Sequence, residues 1–342
     1  MLRTRSAFVA LAAVGAACGG SAVSNSAPRV DAGLHAEPPP VPSAPPATAL
    51  AMITYAIRTV DFGETSGWQT LGFDIDGKDT TAASTDVCQL VGGAATSVQV
   101  DGVDGRDNSF GENFLPILHA VAGDNLAMIL NKAIAGGGET DLLFVPVAAG
   151  SGDFTRAAGG LVNALALGHA PAWDDTDAWP VDSLSVQNDS LSTPILAFPN
   201  GYITGGGWVS APSIGSGTIT VLGGGFYANR WPIADVTITI DHPGAETVNG
   251  TLSGVIPIWD LVGLILDGPQ SNVCSSGDFS TAQGVINQLA SSADILHDGT
   301  QDPTQPCDGM SIAFTFTASK ATAGAVVPTM PPPTCVVPQS AR

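Results

Sequence analysis

Apolar residues recur along this chain in short runs separated by glycine, proline, asparagine and aspartate. That spacing belongs to strands and turns, not to long helices. Runs with strand character fall at residues 52–60, 142–147, 161–167, 194–198, 202–210, 218–222, 235–240 and 251–255. The clearest alternation comes late, where Ile312, Phe314, Phe316 and Ala318 share one face while Ala313, Thr315 and Thr317 share the other. One side of that strand is therefore expected to be buried. Helical spacing interrupts the β pattern. Asp124 can cap a helix in which Leu126, Ile129, Leu130, Ala133 and Ile134 lie on one face before the glycines at 136–138 stop it. Ser109 and Glu112 have the S-x-x-E spacing of a capping box. Pro116 cannot sit deep in a helix, so the reading there is a tight turn and then a short helix from about Leu115. Pro257 suits a first helical position ahead of Ile258, Leu261, Val262, Ile265 and Leu266. Asp278 or Ser280 can cap a further helix bearing Ala282, Val285, Ile286, Leu289 and Ala293. The expectation is a mainly β fold, a β-sandwich with the jelly roll as one form of it, carrying about four short α-helices.

Neither an internal repeat nor a linker breaks residues 51–325, so they read as a single β-rich domain. Both flanks differ in composition. Residues 1–17 carry Arg3 and Arg5, then an apolar run ending in G-A-A-C, the pattern of a signal peptide with a lipobox-like ending. Cleavage before Cys18 would leave a lipidated cysteine and a membrane anchor, with residues 18–50 as a Pro/Ala-rich tether. Gly15 stands where a lipobox has a leucine-like residue, so ordinary secretion, into the periplasm or the medium, is the alternative. Residues 326–342 form a proline-rich tail. The expected location is the outer membrane or cell surface.

The chain has 342 residues, 44% of them hydrophobic, enough to bury a large core. Eleven basic residues against 31 acidic ones give a net charge of −20, which excludes nucleic acid and anionic lipid headgroups as natural partners. The unidentified ligand is then expected to be a protein or a glycan. With Cys18 assigned to lipid, Cys88, Cys274, Cys307 and Cys335 form an even set suited to two disulfides in an oxidising compartment. Three pairings are open. The expected one joins Cys274 to Cys307 around a local helix and Cys88 to Cys335 at the tail.

Residues 74–112 hold the main candidate for chemistry, beginning G-F-D-I-D-G-K-D and ending V-D-G-V-D-G-R-D-N-S-F-G-E-N. Calcium takes six to eight oxygen ligands, and closely spaced Asp, Asn and carbonyl groups supply them. Asp74, Asp76, Asp79, Asp104, Asp107 and Asn108 are the candidate ligands. Neither end fits an EF-hand: counting from Asp74 places Asp79 and Thr85 where glycine and glutamate belong, and counting from Asp101 places Arg106 at the glycine. The other reading of the same residues is a set of tight turns at Asp76-Gly77, Asp101-Gly102 and Asp104-Gly105. Trp173, Asp174, Asp175, Asp177 and Trp179 form a second cluster, suited to holding a sugar or to glycosidase chemistry by paired carboxylates. Burial of the tryptophans at a core edge is the competing reading. No G-x-S-x-G, H-E-x-x-H or phosphate-loop motif occurs, so no catalytic residue is assigned and the chain leans away from enzymes.

Several phrases resemble a family of exported lipoproteins abundant in myxobacteria. They are A-A-C-G-G at 16–20, L-G-F-D-I-D-G at 71–77, D-G-V-D-G-R-D-N-S-F-G-E-N-F-L-P-I-L at 101–118, A-D-I-L at 293–296 and P-C-D-G-M-S-I-A-F at 306–314. The resemblance implies an exported location and a shared domain. That family brings no assigned activity or catalytic residue with it.

Overall fold

The computed structural model describes residues 35–47, 50–64, 67–91, 98–122, 125–148, 152–213, 216–220, 230–266, 273–280, 282–330 and 335–342. Among the described residues twelve strands occur, in chain order β1 (Ala51–Asp61), β2 (Thr140–Val147), β3 (Gly159–Ala164), β4 (Ala178–Asp182), β5 (Leu196–Phe198), β6 (Tyr202–Thr204), β7 (Gly207–Val209), β8 (Gly217–Thr220), β9 (Arg230–Ile240), β10 (Thr247–Pro257), β11 (Gly309–Lys320) and β12 (Thr322–Val327). They form one mixed sheet of order β12-β4-β3-β2-β1-β11-β10-β9-β7-β6, with β5 beside β3 and β8 beside β9. Neighbours are antiparallel except β12, which runs parallel to β4. The spine is the β10–β11 ladder, in unbroken register from Thr247 opposite Ser319 to Pro257 opposite Gly309.

The sheet curls because both ends bury side chains in the same core. Phe198 on β5 stacks edge-on against Trp208 on β7 with ring centroids 6.0 Å apart, and Trp208 Nε1 donates to Ala157 O at 2.8 Å. Buried Asp141 on β2 accepts from the backbone and hydroxyl of Thr220 on β8 and from Asn163 on β3, tying the closing strands together. Phe62, Phe110, Phe114, Trp231 and Phe314 stack at the centre of the main core. A smaller cluster of Ala56, Leu142, Val162, Ala164, Trp179, Val181 and Val186 covers the other face of β1–β4. Tyr55 and Ile57 join the first cluster and Ala56 the second, as strand alternation requires.

The mainly β expectation holds, with four α-helices of eight to ten residues among the described residues. These are α1 (Leu115–Ala122), α2 (Leu126–Ala135), α3 (Ile258–Leu266) and α5 (Gln283–Ser291), with a single turn, α4 (Val273–Ser276), between the last two. Local signals placed the helices but misjudged their caps. Ser109 lies in helical conformation and spends its hydroxyl on Ser292 O at 2.7 Å, so the capping box does not form and a π-helical turn, Phe110–Phe114, leads into α1. Asn125 caps α2, helped by the Glu64 carboxylate, which accepts from Leu126 N and Ala127 N. Ala282 stands at the cap of α5, while Asp278 bonds Ser280 locally. The run 202–210 is a hairpin, broken by Gly205 and Gly206 at φ 56° and 83°. The run at 178–182 went unread as a strand, as did 322–327 at the sheet edge.

Described residues ahead of residue 51 also pack on the domain. Ala36 is buried and exchanges backbone hydrogen bonds with Asp74 and Asp104, and Pro39 O accepts from Tyr202 Oη. At the other end, β12 passes residue 325, and Cys335 and Val337 are buried in the main core. Residues 1–34, Cys18 among them, and Asp124 lie outside the described residues.

The disulfides are Cys88–Cys307 and Cys274–Cys335, which corrects the expected pairing. Cys307 is held at the acidic loop by Gln89, whose N donates to Gln305 O and whose O accepts from Cys307 N. Cys274 on α4 is left to meet the tail. Two disulfides fit a non-cytoplasmic compartment. Among the described residues, no helix is long and apolar enough to cross a membrane.

Candidate metal centre

The acidic stretch folds back so that its two ends meet. Asp107, 1% exposed, accepts from Ile75 N at 2.6 Å and Asp76 N at 3.3 Å, and its own N donates to Phe73 O. One turn further out, Asp101 N donates to Thr80 O at 3.0 Å, and Thr80 N returns a bond to Asp101 Oδ2 at 2.5 Å. Asp-Gly turn chemistry shapes the crossing: Asp74 Oδ1 accepts from Gly77 N and Asp76 Oδ1 from Lys78 N. Gly105, at φ 70°, lets the two arms touch; a Cβ there would sit 2.7 Å from Lys78 O and 3.3 Å from Asp74 Oδ2.

Asp74, Asp76 and Asp107 thereby each present a carboxylate oxygen, all within 4.8 Å of one another. Oxygens bound to opposite sides of a calcium ion, at about 2.4 Å each, are about 4.8 Å apart, so one ion can reach all three. Asp294, between α5 and β11, is brought to the same place from the far end of the chain. Gln301 Nε2 donates to Asp76 Oδ2 at 2.6 Å and to Asp294 O at 2.9 Å. Ser311 donates through N and Oγ to the Asp294 carboxylate.

Crowded carboxylates under burial favour their protonated forms. Burial is the first cause in each case. Asp76 is pushed up to about 6 despite hydrogen bonds from Gln301 and Lys78. Asp294 rises to about 7 against its bonds from Ser311, and Asp101 to about 9 with the charges of Asp76 and Asp294 adding to the burial. Asp107 lies well above the ordinary carboxylate range, with Asp76, Asp101 and Asp294 reinforcing the effect. Asp74 is raised by burial and held down in part by its bond to His35. Lys78 Nζ pairs with Asp86 at 2.5 Å, outside the group. A cation placed among these oxygens would offset the field, and an all-oxygen donor set is the chemistry that suits calcium.

Three of the six expected ligands fall together. The other three do not join the oxygen group. Asp104 is exposed at φ 58° and lies 3.5 Å from Arg106. Asn108 is buried, but its Oδ1 accepts from Gly111 N and Ala313 N and its Nδ2 donates to Trp68 O, so it holds the fold. Asp79 lies outside the group of three. Gln301, which bonds Asp76, and Asp294, which shares the field of the group, were not read from the sequence; Asp294 had a signal only in the A-D-I-L phrase.

The tryptophans of the second cluster pack into the fold, while Asp174 and Asp175 stay exposed. Trp179 is fully buried, with Trp173 stacked on it at 6.1 Å and Arg58 over Trp173 at 5.4 Å. Asp177, buried, accepts from Ala172 N and Trp173 N, and Asp174 accepts from Thr176. Asp175 lines a surface cavity of about 780 Å³ with Met52, Phe144 and Lys320. His119 pairs with Glu64 and His297 with Asp308. Comparison of the chain with protein-family models, curated proteins and solved structures returns no match.

Proposed function

We propose that the chain is an exported cell-envelope lipoprotein, anchored through Cys18, that acts as a surface binding or structural module with a calcium-stabilised fold. The observation that carries the calcium claim is the convergence of Asp74, Asp76 and Asp107 within 4.8 Å in a field of raised carboxylates. The ion would neutralise a repulsion that the folded chain otherwise bears. Support for display comes from the leader pattern at residues 1–17, the proline-rich segment behind it and the family phrases. The two disulfides support the extracytoplasmic reading, and the ligand of such a module is a protein or glycan.

Thermal unfolding in millimolar calcium and in chelator tests this reading. An ion that binds only the folded state raises the melting temperature as its concentration grows. Identical transitions in the two buffers would remove calcium from the account.

A further inference from the structure

The outer face of the sheet changes character at β1. Over β1–β4 it is covered by the smaller apolar cluster around Trp179. Over β1, β11, β10 and β9 it is open, and strand register lays polar side chains across it in two rows. Asp61, Thr315, Thr251 and Thr239 stand opposite one another in the first row. Thr59, Thr317, Asn249 and Asp241 make the second. Val60, Phe316, Gly250 and Ile240, which lie between them along the strands, are buried, so the two rows share the outward face. With strands about 4.8 Å apart, each row runs about 14 Å across the sheet.

These rows line a groove of about 490 Å³, bordered also by Asn131 of α2, which two bonds to the Val60 backbone hold in place. Thr59 Oγ1 and Thr317 Oγ1 share a hydrogen bond at 2.6 Å, and Asp61 accepts from Gly63 N at 2.9 Å. The side chains of Thr239, Thr251, Thr315 and Asn249 make no hydrogen bond to the described residues, so their donors and acceptors are open to a ligand.

The makeup of the groove selects among ligand classes. Protein interfaces centre on Trp, Tyr, Met and Arg, and none of these lines it. No basic residue lines it either, and Asp61 and Asp241 stand at opposite corners, so an anionic chain is repelled. An uncharged sugar chain fits: each threonine offers a hydroxyl to the sugar hydroxyls and a methyl to the C–H faces of the ring. Short Thr, Asn and Asp side chains also lose less freedom on being fixed than Lys or Glu would. Asp61 and Asp241 are three strand spacings apart, about 14 Å, whereas paired carboxyls cleave a glycosidic bond from within about 10 Å. The groove is built to hold a chain without cutting it.

We infer that this groove binds an extended, uncharged glycan laid across β1, β11, β10 and β9. This rests on the reading of the protein as a surface binding module and gives that module its ligand class; it is independent of the acidic loop.

Isothermal titration with cellohexaose, mannohexaose and N-acetylchitohexaose, and with an alginate hexasaccharide as the anionic counterpart, tests the groove. At least one neutral hexasaccharide is expected to bind, and the alginate is not. Thr251→Val combined with Thr315→Val removes two hydroxyls from the centre of the first row, and valine suits a strand as well as threonine does. The double variant should bind the neutral sugar at least tenfold more weakly while melting at the wild-type temperature. Asn249→Ala, in the second row at an exposed position, should weaken binding in the same direction and carries the test if the double variant does not fold. Neutral-sugar binding unchanged in the variants, equal binding of alginate, or no binding of any neutral hexasaccharide overturns the glycan groove. Each of those results leaves the calcium-stabilised module in place, because that reading stands or falls on the melting temperatures in calcium and in chelator.

Discussion

In chelator this protein should lose stability as pH rises, the reverse of the usual acid denaturation. Asp76, Asp101, Asp107 and Asp294 have folded-state pKa values raised above the ordinary 3.8. In the window between that value and about 6 for Asp76, about 7 for Asp294 or about 9 for Asp101, the folded chain keeps protons that the unfolded chain has released. Stability is then fully present below the unfolded pKa and falls as pH climbs. Each retained proton costs about 1.4 kcal/mol per pH unit. With Asp101 and Asp294 both retaining theirs, the ion-free protein loses about 5 kcal/mol between about pH 5 and about pH 7, against a total stability of about 5–15 kcal/mol. For a chain of this size that is a fall of about 10 °C in melting temperature. Calcium removes most of the slope, because an ion bound to the carboxylates replaces the protons, and at a hundredfold over its dissociation constant it adds about 2.7 kcal/mol. Scanning calorimetry in chelator and in calcium across that range reads both effects. A chelated protein whose stability is flat or rises from pH 5 to 7 would refute the reasoning, as would parallel profiles in the two buffers.

Three variants test other parts of the architecture. Gly105→Ala forces a left-handed residue and drives a methyl against Lys78 O and Asp74, so it should cost about 2 kcal/mol in urea unfolding and weaken calcium binding. Removing the Cys88–Cys307 bridge by the double Ser variant opens a loop of 219 residues, worth about 5 kcal/mol in chain entropy. It should also lower calcium affinity in dialysis, because Cys88 N holds the Gln301 that holds Asp76. Trp208→Ala empties a fully buried site where the sheet closes and should cost about 3–5 kcal/mol with calcium stoichiometry unchanged.

What could be read from the chain followed the range of the interactions involved. Strand alternation at Ile312 to Ala318 and helical spacing at Leu126 to Ile134 are local, and both elements stand where the pattern put them. Caps were misread because the groups that decide them come from elsewhere: Glu64 supplies the carboxylate at the start of α2, and Ser292 takes the Ser109 hydroxyl. The same limit applies to the site. Asp74, Asp76 and Asp107 were legible because one dense acidic loop contains them. Asp294 was not, since its approach depends on the β10–β11 ladder and on Gln301. Asn108 looked like a ligand by residue type, but it terminates backbone groups of Gly111 and Ala313. The disulfide pairing failed for a related reason: closeness in sequence favoured Cys274 with Cys307, whereas the loop beside Gln89 brings Cys88 to Cys307.

The central claim is that a divalent ion sits where the two arms of the acidic loop cross. Crystals grown with calcium, or soaked with a lanthanide in its place, test it directly by anomalous scattering. The account predicts a peak with Asp74, Asp76 and Asp107 carboxylate oxygens at about 2.3–2.6 Å. A map with no peak within bonding distance of Asp107 would contradict it.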